Sequence, residues 1–220
     1  MIRGFQTCAA GMLGQIERQD AIANNLANCN SPGFKRSIVG LSAFTDQLAE
    51  AAERMSGDSE PVAFASQDLR QGELVQTGNP TDLAVDGSGF FVIRTPSGKE
   101  LTRAGNFRLD SSGDLVTQQG DKVLGDRGTI NIPPGKWSVD GDGNISVDGT
   151  VVDKLLIELG GNGSTQVGRV VQGQLESSNV SAIQEMVSMI TTLRSYEANQ
   201  RAILAMDQTL DKIINQAGRA

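Results

Sequence analysis

Apolar residues at the start of the chain recur at alternating intervals of three and four positions, the a/d spacing of a heptad repeat. The N-terminal seam that they define would hold Ile2, Phe5, Ala9, Met12, Ile16, Ala23 and Leu26, with Gln19 as its one polar member. The pattern predicts a helix within residues 1–30 that ends at the Asn-rich stretch before Pro32. Such a narrow apolar stripe needs a second helix to cover it.

The C-terminal part repeats this alternation over a longer stretch. The C-terminal seam would hold Met186, Met189, Leu193, Tyr196, Gln200, Ile203, Asp207, Leu210 and Ile214, widened at its start by Val187 and Ile190. Ser181 and Gln184 have the spacing of a capping box, and no Gly or Pro interrupts residues 180–217. The pattern predicts a helix over residues 179–217. Two ordinary helices covering one globular core would give the same spacing, so that alternative stays open.

The middle of the chain consists of short runs of Val, Ile, Leu, Phe and Thr, separated by Asp-Gly, Ser-Gly and Gly-Asp pairs. This pattern predicts a β domain over residues 80–160, with tight turns at "PSGK" and "SSGD". Residues 31–79 and 161–178 read as connectors, the first mostly extended with a short helix at residues 42–54. The predicted fold class is α+β: long N- and C-terminal helices pair as a coiled-coil-like layer, and the central domain is all-β with short hairpins.

Composition narrows the range of partners. The net charge is −7, and such an acidic chain is unsuited to nucleic acid and offers no basic face to anionic lipid. No stretch approaches the length and apolarity of a membrane span, and the first residues lack the apolar core of a cleavable export signal. We therefore expect neither nucleic acid binding nor membrane insertion.

Candidate chemistry is sparse. The absence of His removes Ser-His-Asp and Cys-His nucleophiles and most zinc and iron sites. Cys8 and Cys29 lie too far apart to pair within one straight helix, so we expect two small residues that are buried or semi-buried. The stretch "DGSGFF" lacks the spacing of a nucleotide-binding loop. We expect no catalytic residue, cofactor or metal.

One acidic stretch, "DGDGNISVDG", has the beginning of a calcium-binding loop. Asp140, Asp142 and Asn144 stand at alternating positions, as the first ligands of such a loop do. The match then fails, because Ile145 stands where the loop needs Gly and Val151 stands where it needs a bidentate Glu. The sequence favours a β-hairpin instead.

Three stretches carry a family resemblance. "DAIANNLANCNSPGFKRS" resembles the N-terminal signature of bacterial flagellar rod and hook proteins, "GNPTDLAVDGSGFFVI" and "TRAGNFRLDSSGDLVTQQGDKVLG" look like their β-domain motif, and "GQLESSNVSAIQEMVSMITTLRSYEANQRAI" resembles their C-terminal motif. The three blocks are collinear and span nearly the whole chain, although Cys29 and Ser31-Pro32 depart from the usual residues. The turn of the N-terminal motif holds Asn24, Asn25, Asn28, Asn30, Gly33 and Phe34.

The resemblance implies a structural subunit of the flagellar rod. In that family the terminal helices pair and line a hollow axial tube, while the β domain lies outside them. The motif turn would be the exit from the helical layer, with Phe34 packing there and with Lys35 and Arg36 solvated or paired with acidic groups of neighbouring subunits. Implied partners are copies of this chain, other rod and hook proteins, and the flagellar type III export apparatus, which needs no cleaved signal. The short middle argues against the hook protein, and the ending "DQTLDKIINQAGRA" resembles the proximal rod type more than the distal type.

Two other classes of function remain to be compared. A secreted binding module or adhesin would use the β domain alone and would not need heptads at both ends. A cell-wall-cutting enzyme would need paired carboxylates across a cleft, and no spacing in the sequence nominates such a pair.

Overall fold

The computed structural model describes residues 2–41, 63–159 and 168–217, of which the side chains at 2–8, 10, 40–41, 63–65 and 210–217 fall outside the description. The chain forms two compact units. The helical unit comprises Met1–Ala27, Ser37–Asp68 and Ser181–Ala220, and the β unit comprises Asn28–Arg36 and Leu69–Val180. The helix predicted at residues 42–54 lies outside the described residues.

The helical unit contains both predicted long helices, α1 (Ile2–Ala27) and α2 (Ala182–Ala217). Helix α1 ends where Asn28 begins a turn, and α2 begins with the Glu185 N–H donating to the Ser181 carbonyl at 3.0 Å. An antiparallel pair, β1 (Ser37–Leu41) with β2 (Ala63–Gln67), completes the described part of this unit. Neither described helix has a stretch long and apolar enough to cross a membrane.

The β unit consists of short strands in antiparallel pairs, so the predicted central β-rich part is confirmed. The strands are β3 (Leu74–Gln76), β4 (Leu83–Asp86), β5 (Phe90–Thr95), β6 (Gly98–Thr102), β7 (Arg108–Leu109), β8 (Leu115–Val116), β9 (Lys122–Gly125), β10 (Gly128–Thr129), β11 (Trp137–Val139), β12 (Asn144–Val147), β13 (Thr150–Lys154), β14 (Ile157–Glu158), β15 (Arg169–Gln172) and β16 (Gln174–Glu176). A seven-stranded sheet has the order β14-β5-β9-β8-β7, with β6 pairing β5 and β10 pairing β9. A second sheet has the order β11-β12-β13, and β15 pairs β4 and β16 pairs β3.

Strands β3, β15 and β16 lie in the stretches that the sequence pattern assigned to connectors. Each strand is short and pairs with a strand distant in sequence, so no local hairpin signal marks it. The division of the chain at residues 80 and 160 stays a prediction.

The core of the β unit is built by alternation along its strands. In β12, Ile145 and Val147 are buried, whereas Asn144 and Ser146 are partly exposed. Phe91 and Phe107 meet edge to face, with ring centroids 5.2 Å apart. The buried core residues are Leu83, Val85, Phe91, Ile93, Phe107, Leu115, Val123, Ile130, Ile132, Ile145, Val147, Leu155 and Val170.

The hairpin interpretation of the acidic stretch is confirmed, because β11 and β12 pair antiparallel around it. Asp140 Oδ1 accepts the backbone N–H groups of Asp142 and Asn144, at 3.0 and 2.9 Å, and Oδ2 accepts the Asn144 side-chain amide at 2.8 Å. The bonds from Asn144 hold the pKa of Asp140 below its usual value. The carboxylate therefore closes the turn. In the described part of the chain, no three acidic or Cys side chains are grouped as metal ligands.

Candidate assembly site

Near the end of α1, the Asn25 side chain bonds both backbone groups of Ser37, the first residue of β1, as a neighbouring strand would. Its Nδ2 donates to the Ser37 carbonyl at 2.8 Å, and its Oδ1 accepts the Ser37 N–H at 2.8 Å. The same Nδ2 lies 3.2 Å from Glu185 Oε2 on α2. Asn25 and Glu185 are both buried. One amide therefore ties α1, the start of β1 and α2 together within the helical unit.

Replacing Asn25 by Ala should loosen this connection, because Ser37 loses its partner for both backbone groups and Glu185 loses a buried donor. Leaving buried polar groups unsatisfied costs about 1–3 kcal/mol, so we expect amide exchange at Ser37 to accelerate about 10- to 100-fold. Hydrogen–deuterium exchange of the full chain measures this. Glu17→Ala, at an exposed position on α1, should leave Ser37 protection unchanged. Unchanged protection in the Asn25 variant would show that the amide bonds do not hold β1.

The motif residues from Asn28 to Phe34 lie in the β unit, and short local bonds shape the turn there. The Ser31 N–H donates to the Asn28 carbonyl at 3.1 Å, and the Phe34 N–H donates to the Ser31 carbonyl at 3.3 Å. Gly33 is buried with a φ of 69°, a left-handed conformation that favours Gly. Its N–H donates to the Glu176 carbonyl at 2.7 Å. The turn is therefore fastened to β16.

The six predicted motif residues have different environments. Asn25 and Gly33 are buried, Asn28 and Phe34 are partly buried, and Asn24 and Asn30 are exposed. The Phe34 carbonyl accepts the Asn179 N–H at 3.4 Å, and the Asn179 side-chain oxygen accepts the Arg36 N–H at 2.8 Å. The chain segments that enter and leave the β unit are thus bonded to each other.

A buried charge cluster, the Glu176 cluster, joins the same two segments to the sheet. Glu176 Oε1 lies 2.5 Å from Lys35 Nζ and accepts the Gly72 N–H at 2.9 Å, while Oε2 accepts Arg103 Nη1 at 3.0 Å. Glu176, Lys35 and Arg103 are 1%, 6% and 4% exposed. The cations also donate to backbone carbonyls, Lys35 to Arg70 and Arg103 to Val85 and Gly87. The cluster has two cations and one carboxylate.

The expectation for Lys35 is wrong. The resemblance implied a solvated side chain or a partner in a neighbouring subunit, but Lys35 is buried and pairs with Glu176 of its own chain. The reason is that β16 returns to the motif turn and brings a carboxylate within reach. Arg36 is partly buried.

Sequence reasoning did not single out Glu176 or Arg103. Both residues stand inside the quoted motifs, in "GQLESSN" and "TRAGNF", so the three blocks that carry the resemblance each supply one member of the cluster. The available signal was a charged residue in each motif. No spacing rule connects residues 35, 103 and 176, which are far apart along the chain.

On the long helices, many predicted seam residues face solvent in the single chain. Met186, Ile190 and Leu193 are 51%, 52% and 39% exposed, and Ile16 is 43% exposed. Ala23 is exposed, whereas Ala9, Met12, Leu26, Tyr196 and Ile203 are partly buried. The side chains of Ile2, Phe5, Leu210 and Ile214 lie outside the described residues. The contacts that would cover these seams remain predictions.

Small and polar residues take part in the contact between α1 and α2. Besides the bond between Asn25 and Glu185, a Cβ placed on Gly11 would lie 3.3 Å from the Asn199 side chain. Glu185, Thr192 and Asn199 stand seven positions apart, and the first two are buried. The pairing of the helices therefore leaves most of the apolar surface of α2 uncovered.

Three family models match successive parts of the chain. They are described as flagella basal body rod protein (residues 5–35), flagellar hook protein FlgE/F/G D1 domain (residues 84–152) and flagellar basal body rod FlgEFG protein C-terminal (residues 171–216). The matched parts cover α1 with the motif turn, the β unit from β4 to β13, and the stretch from β15 to α2. These models define the class: axial proteins of the bacterial flagellum.

Named relatives are similar over most of their length. The flagellar basal-body rod protein FlgG of Borreliella burgdorferi is 33% identical, over 96% of this chain and 97% of the relative. That of Bacillus subtilis is 31% identical, over 98% and 99%. The flagellar basal-body rod protein FlgF of Caulobacter vibrioides is 33% identical, over 81% and 83%. The chain belongs to the flagellar basal-body rod protein family, and it is a structural subunit of the rod in the flagellar basal body.

Proposed function

We propose that this rod subunit polymerises through the terminal helices, whose apolar faces are covered by neighbouring subunits in a coiled-coil-like layer. The observation that carries the proposal is an apolar stripe on α2. It comprises Ile183, Met186, Val187, Ile190 and Leu193, which are 39–76% exposed in the single chain. Burying one large apolar side chain is worth about 1.5–3 kcal/mol. The stripe therefore holds a large part of the free energy that assembly requires.

The stripe and the polar contact face of α2 lie on different sides of the helix. Ile183, Ile190 and Glu197 follow one line along the helix at seven-residue spacing, whereas Glu185, Thr192 and Asn199 follow another. Leu13 and Ile16 add exposed apolar area on α1. The α2 stripe and the exposed apolar area on α1 are two different faces, and the subunit can bind one neighbour with each of them. Such heterologous contacts extend into an open helical stack instead of closing into a ring, as a rod requires.

Torque transmission also needs a stiff subunit. The Glu176 cluster and the bonds around Asn179 fix the segments that enter and leave the β unit to its sheets. Buried ion pairs with many backbone bonds resist local opening, because an opened cluster leaves unpaired charge in the interior. This rigidity supports a role as part of the drive shaft that carries rotation from the motor to the hook.

The test of assembly through the α2 stripe is a pair of substitutions, Ile190→Asp and Leu193→Asp. Both residues are exposed in the single chain, so the free energy of unfolding of the monomer should change by less than about 0.5 kcal/mol. In the rod, a carboxylate buried in an apolar contact costs several kcal/mol. We expect both variants to be lost from purified basal bodies and the cells to lose swimming motility.

Ser195→Asp is the matched control, because it adds the same charge about 140° around the helix from Ile190 and about 160° from Leu193. Ser195 is also exposed, and its variant should enter basal bodies normally. Normal incorporation of Ile190→Asp and Leu193→Asp would refute assembly through the stripe. Equal loss of all three variants would mean that charge anywhere on α2, and not burial of the stripe, blocks incorporation.

Within the rod we propose the proximal position, supported by the ending "DQTLDKIINQAGRA". Its neighbours would then be copies of itself and other rod and hook proteins, and delivery would use the flagellar export apparatus. An epitope inserted between residues 96 and 97, in the exposed turn between β5 and β6, can be located by gold labelling of purified basal bodies. Label at the membrane-motor end of the rod supports the proposal. Label at the hook end assigns the chain to the distal rod.

A further inference from the structure

One face of the seven-stranded sheet carries three cations in a row. In the register of β6, β5 and β9, Lys99 lies opposite Arg94, and Arg94 lies opposite Lys122. All three side chains are exposed. Directly opposite residues of antiparallel strands have Cβ atoms about 5 Å apart, and like charges in such pairs are destabilising. The row therefore lowers the stability of the isolated subunit, although the chain as a whole is acidic.

Only one of these cations is neutralised. Lys122 Nζ lies 2.7 Å from Asp114 Oδ2, and this bond raises the pKa of Lys122. The hydrogen bond from Asn131, and after it the one from Lys122, lowers the pKa of Asp114. Among the described residues, Arg94 and Lys99 have no hydrogen-bonded or ion-paired side-chain partner. Two adjacent positive charges thus remain available to a ligand.

Arg94 and Lys99 also line a groove of about 430 Å³. A third cation, Arg127, lines the same groove, and its guanidinium donates to the Val152 carbonyl at 3.1 Å. Asp126 is the one carboxylate among the lining residues, so three cations face one anion. Leu124 and Leu156 supply apolar lining. The volume lies within the range of ligand sites, about 300–1,000 Å³.

We propose that the edge of β6 beside this groove binds an extended acidic peptide segment of a protein partner. The excess of cations, with Lys99 on β6 and Arg94 on the neighbouring strand, calls for carboxylates. Within the described sheets, β6 pairs only with β5, so its outer edge has free backbone groups. Lys99 and Leu101 alternate on the groove side of this edge strand, and Leu101 is 46% exposed. A peptide strand that places an acidic side chain near Lys99 and an apolar one near Leu101 would fit.

The edge position of Lys99 also makes the site selective. A Lys on an edge strand usually prevents pairing with another strand. Here it would repel basic segments, and a neutral segment would cover its ammonium without supplying a counter-charge. An acidic strand removes that penalty and gains the backbone bonds of strand addition. A carboxylated polysaccharide would match the charge, but it has neither the regular backbone amides to pair with β6 nor an apolar side chain to place near Leu101.

The test uses the purified full-length monomer, so it does not depend on rod assembly. Its probe is a fluorescently labelled peptide that repeats Glu-Thr-Val-Thr, which places Glu and Val in turn along one face of a strand. Fluorescence anisotropy should show binding that weakens as salt rises. The matching peptide that repeats Gln-Thr-Val-Thr should not bind. Hydrogen–deuterium exchange should show new protection at residues 98–102 when the acidic peptide is bound.

The double variant Arg94→Gln with Lys99→Gln should raise the Kd of the acidic peptide about tenfold or more, equivalent to about 1.4 kcal/mol. Lys136→Gln with Arg194→Gln removes the same charge from exposed positions outside the groove and should leave the Kd unchanged. Equal weakening of peptide binding in both double variants would mean that the net charge of the protein, and not this site, determines the Kd, and it would refute the proposal. Absence of binding to the wild type would also overturn it. If polygalacturonate binds as tightly as the peptide and protects nothing at residues 98–102, the partner is a polysaccharide and the peptide proposal fails.

Discussion

Replacing Glu176 by Gln is expected to lower the free energy of unfolding of the β unit by about 3–5 kcal/mol, the usual cost of removing one member of a buried ion pair. Lys35 and Arg103 are both buried, and Glu176 is the one carboxylate within ion-pair distance of either cation among the described residues. The amide would fill the same space but leave two positive charges without an anion. Urea unfolding followed by the fluorescence of Trp137, the single Trp of the chain and part of the β unit, measures the change.

Two further variants sharpen this experiment. Glu158→Gln removes an exposed carboxylate of the same unit and should change stability by less than about 0.5 kcal/mol. Lys35→Met leaves Glu176 and Arg103 as a neutral pair, so its loss should be smaller than that of Glu176→Gln. If the Glu176 variant is no less stable than the Glu158 variant, the cluster does not hold the β unit together. A larger loss for Lys35→Met would mean that packing of the Lys35 side chain, and not charge balance, dominates.

Replacing Gly33 by Ala is expected to be strongly destabilising for two separable reasons. The φ of 69° costs an L-residue about 1–2 kcal/mol. An added Cβ would also lie 2.2 Å from the carbonyl carbon of Arg103 and 2.3 Å from the Ala104 nitrogen, which are backbone atoms that cannot rotate away. Forcing them apart typically costs about 1–3 kcal/mol more and would pull the motif turn from β16. The free energy of unfolding should fall by the sum.

Gly78 provides a control that isolates the steric part. Its φ is 72°, nearly that of Gly33, but no atom outside its immediate neighbours lies within 4 Å of an added Cβ. Gly78→Ala should therefore show the conformational cost alone, and the difference between the two variants should equal the cost of the contact with Arg103 and Ala104. Equal losses would mean that the motif turn shifts without resistance, which is incompatible with a turn fastened to the sheet.

The local elements were largely predictable because their signals are local. The heptad spacing and the run without Gly or Pro gave the two long helices, and the pairs of turn residues gave hairpins such as β11–β12 around Asp140. A helix or hairpin forms from residues within a few positions of one another, so a sequence window contains its determinants. The sequence also showed that the acidic stretch is not a calcium-binding loop, because Ile145 and Val151 stand at positions where that loop needs Gly and Glu.

Which side of each helix is covered could not be derived from periodicity. The heptad pattern identifies an apolar line but not the helix that covers it. In the single chain, α2 turns Glu185 and Thr192 inward, while Met186 and Ile190, one or two positions along, face solvent. Because one residue corresponds to about 100° of rotation, a shift of one position is enough to separate a contact inside the subunit from a surface available to a neighbour.

The sequence by itself determined the two long helices, the β-rich part between them, the absence of His and the resemblance to flagellar axial proteins. Tertiary structure alone decided that Lys35 is buried, that Glu176 and Arg103 balance it, and that Arg94, Lys99 and Lys122 align across three strands. The physical reason is the distance along the chain between the residues that interact. Turn and helix preferences act between near neighbours, whereas buried charges and cross-strand pairs depend on the strand register that brings distant residues together.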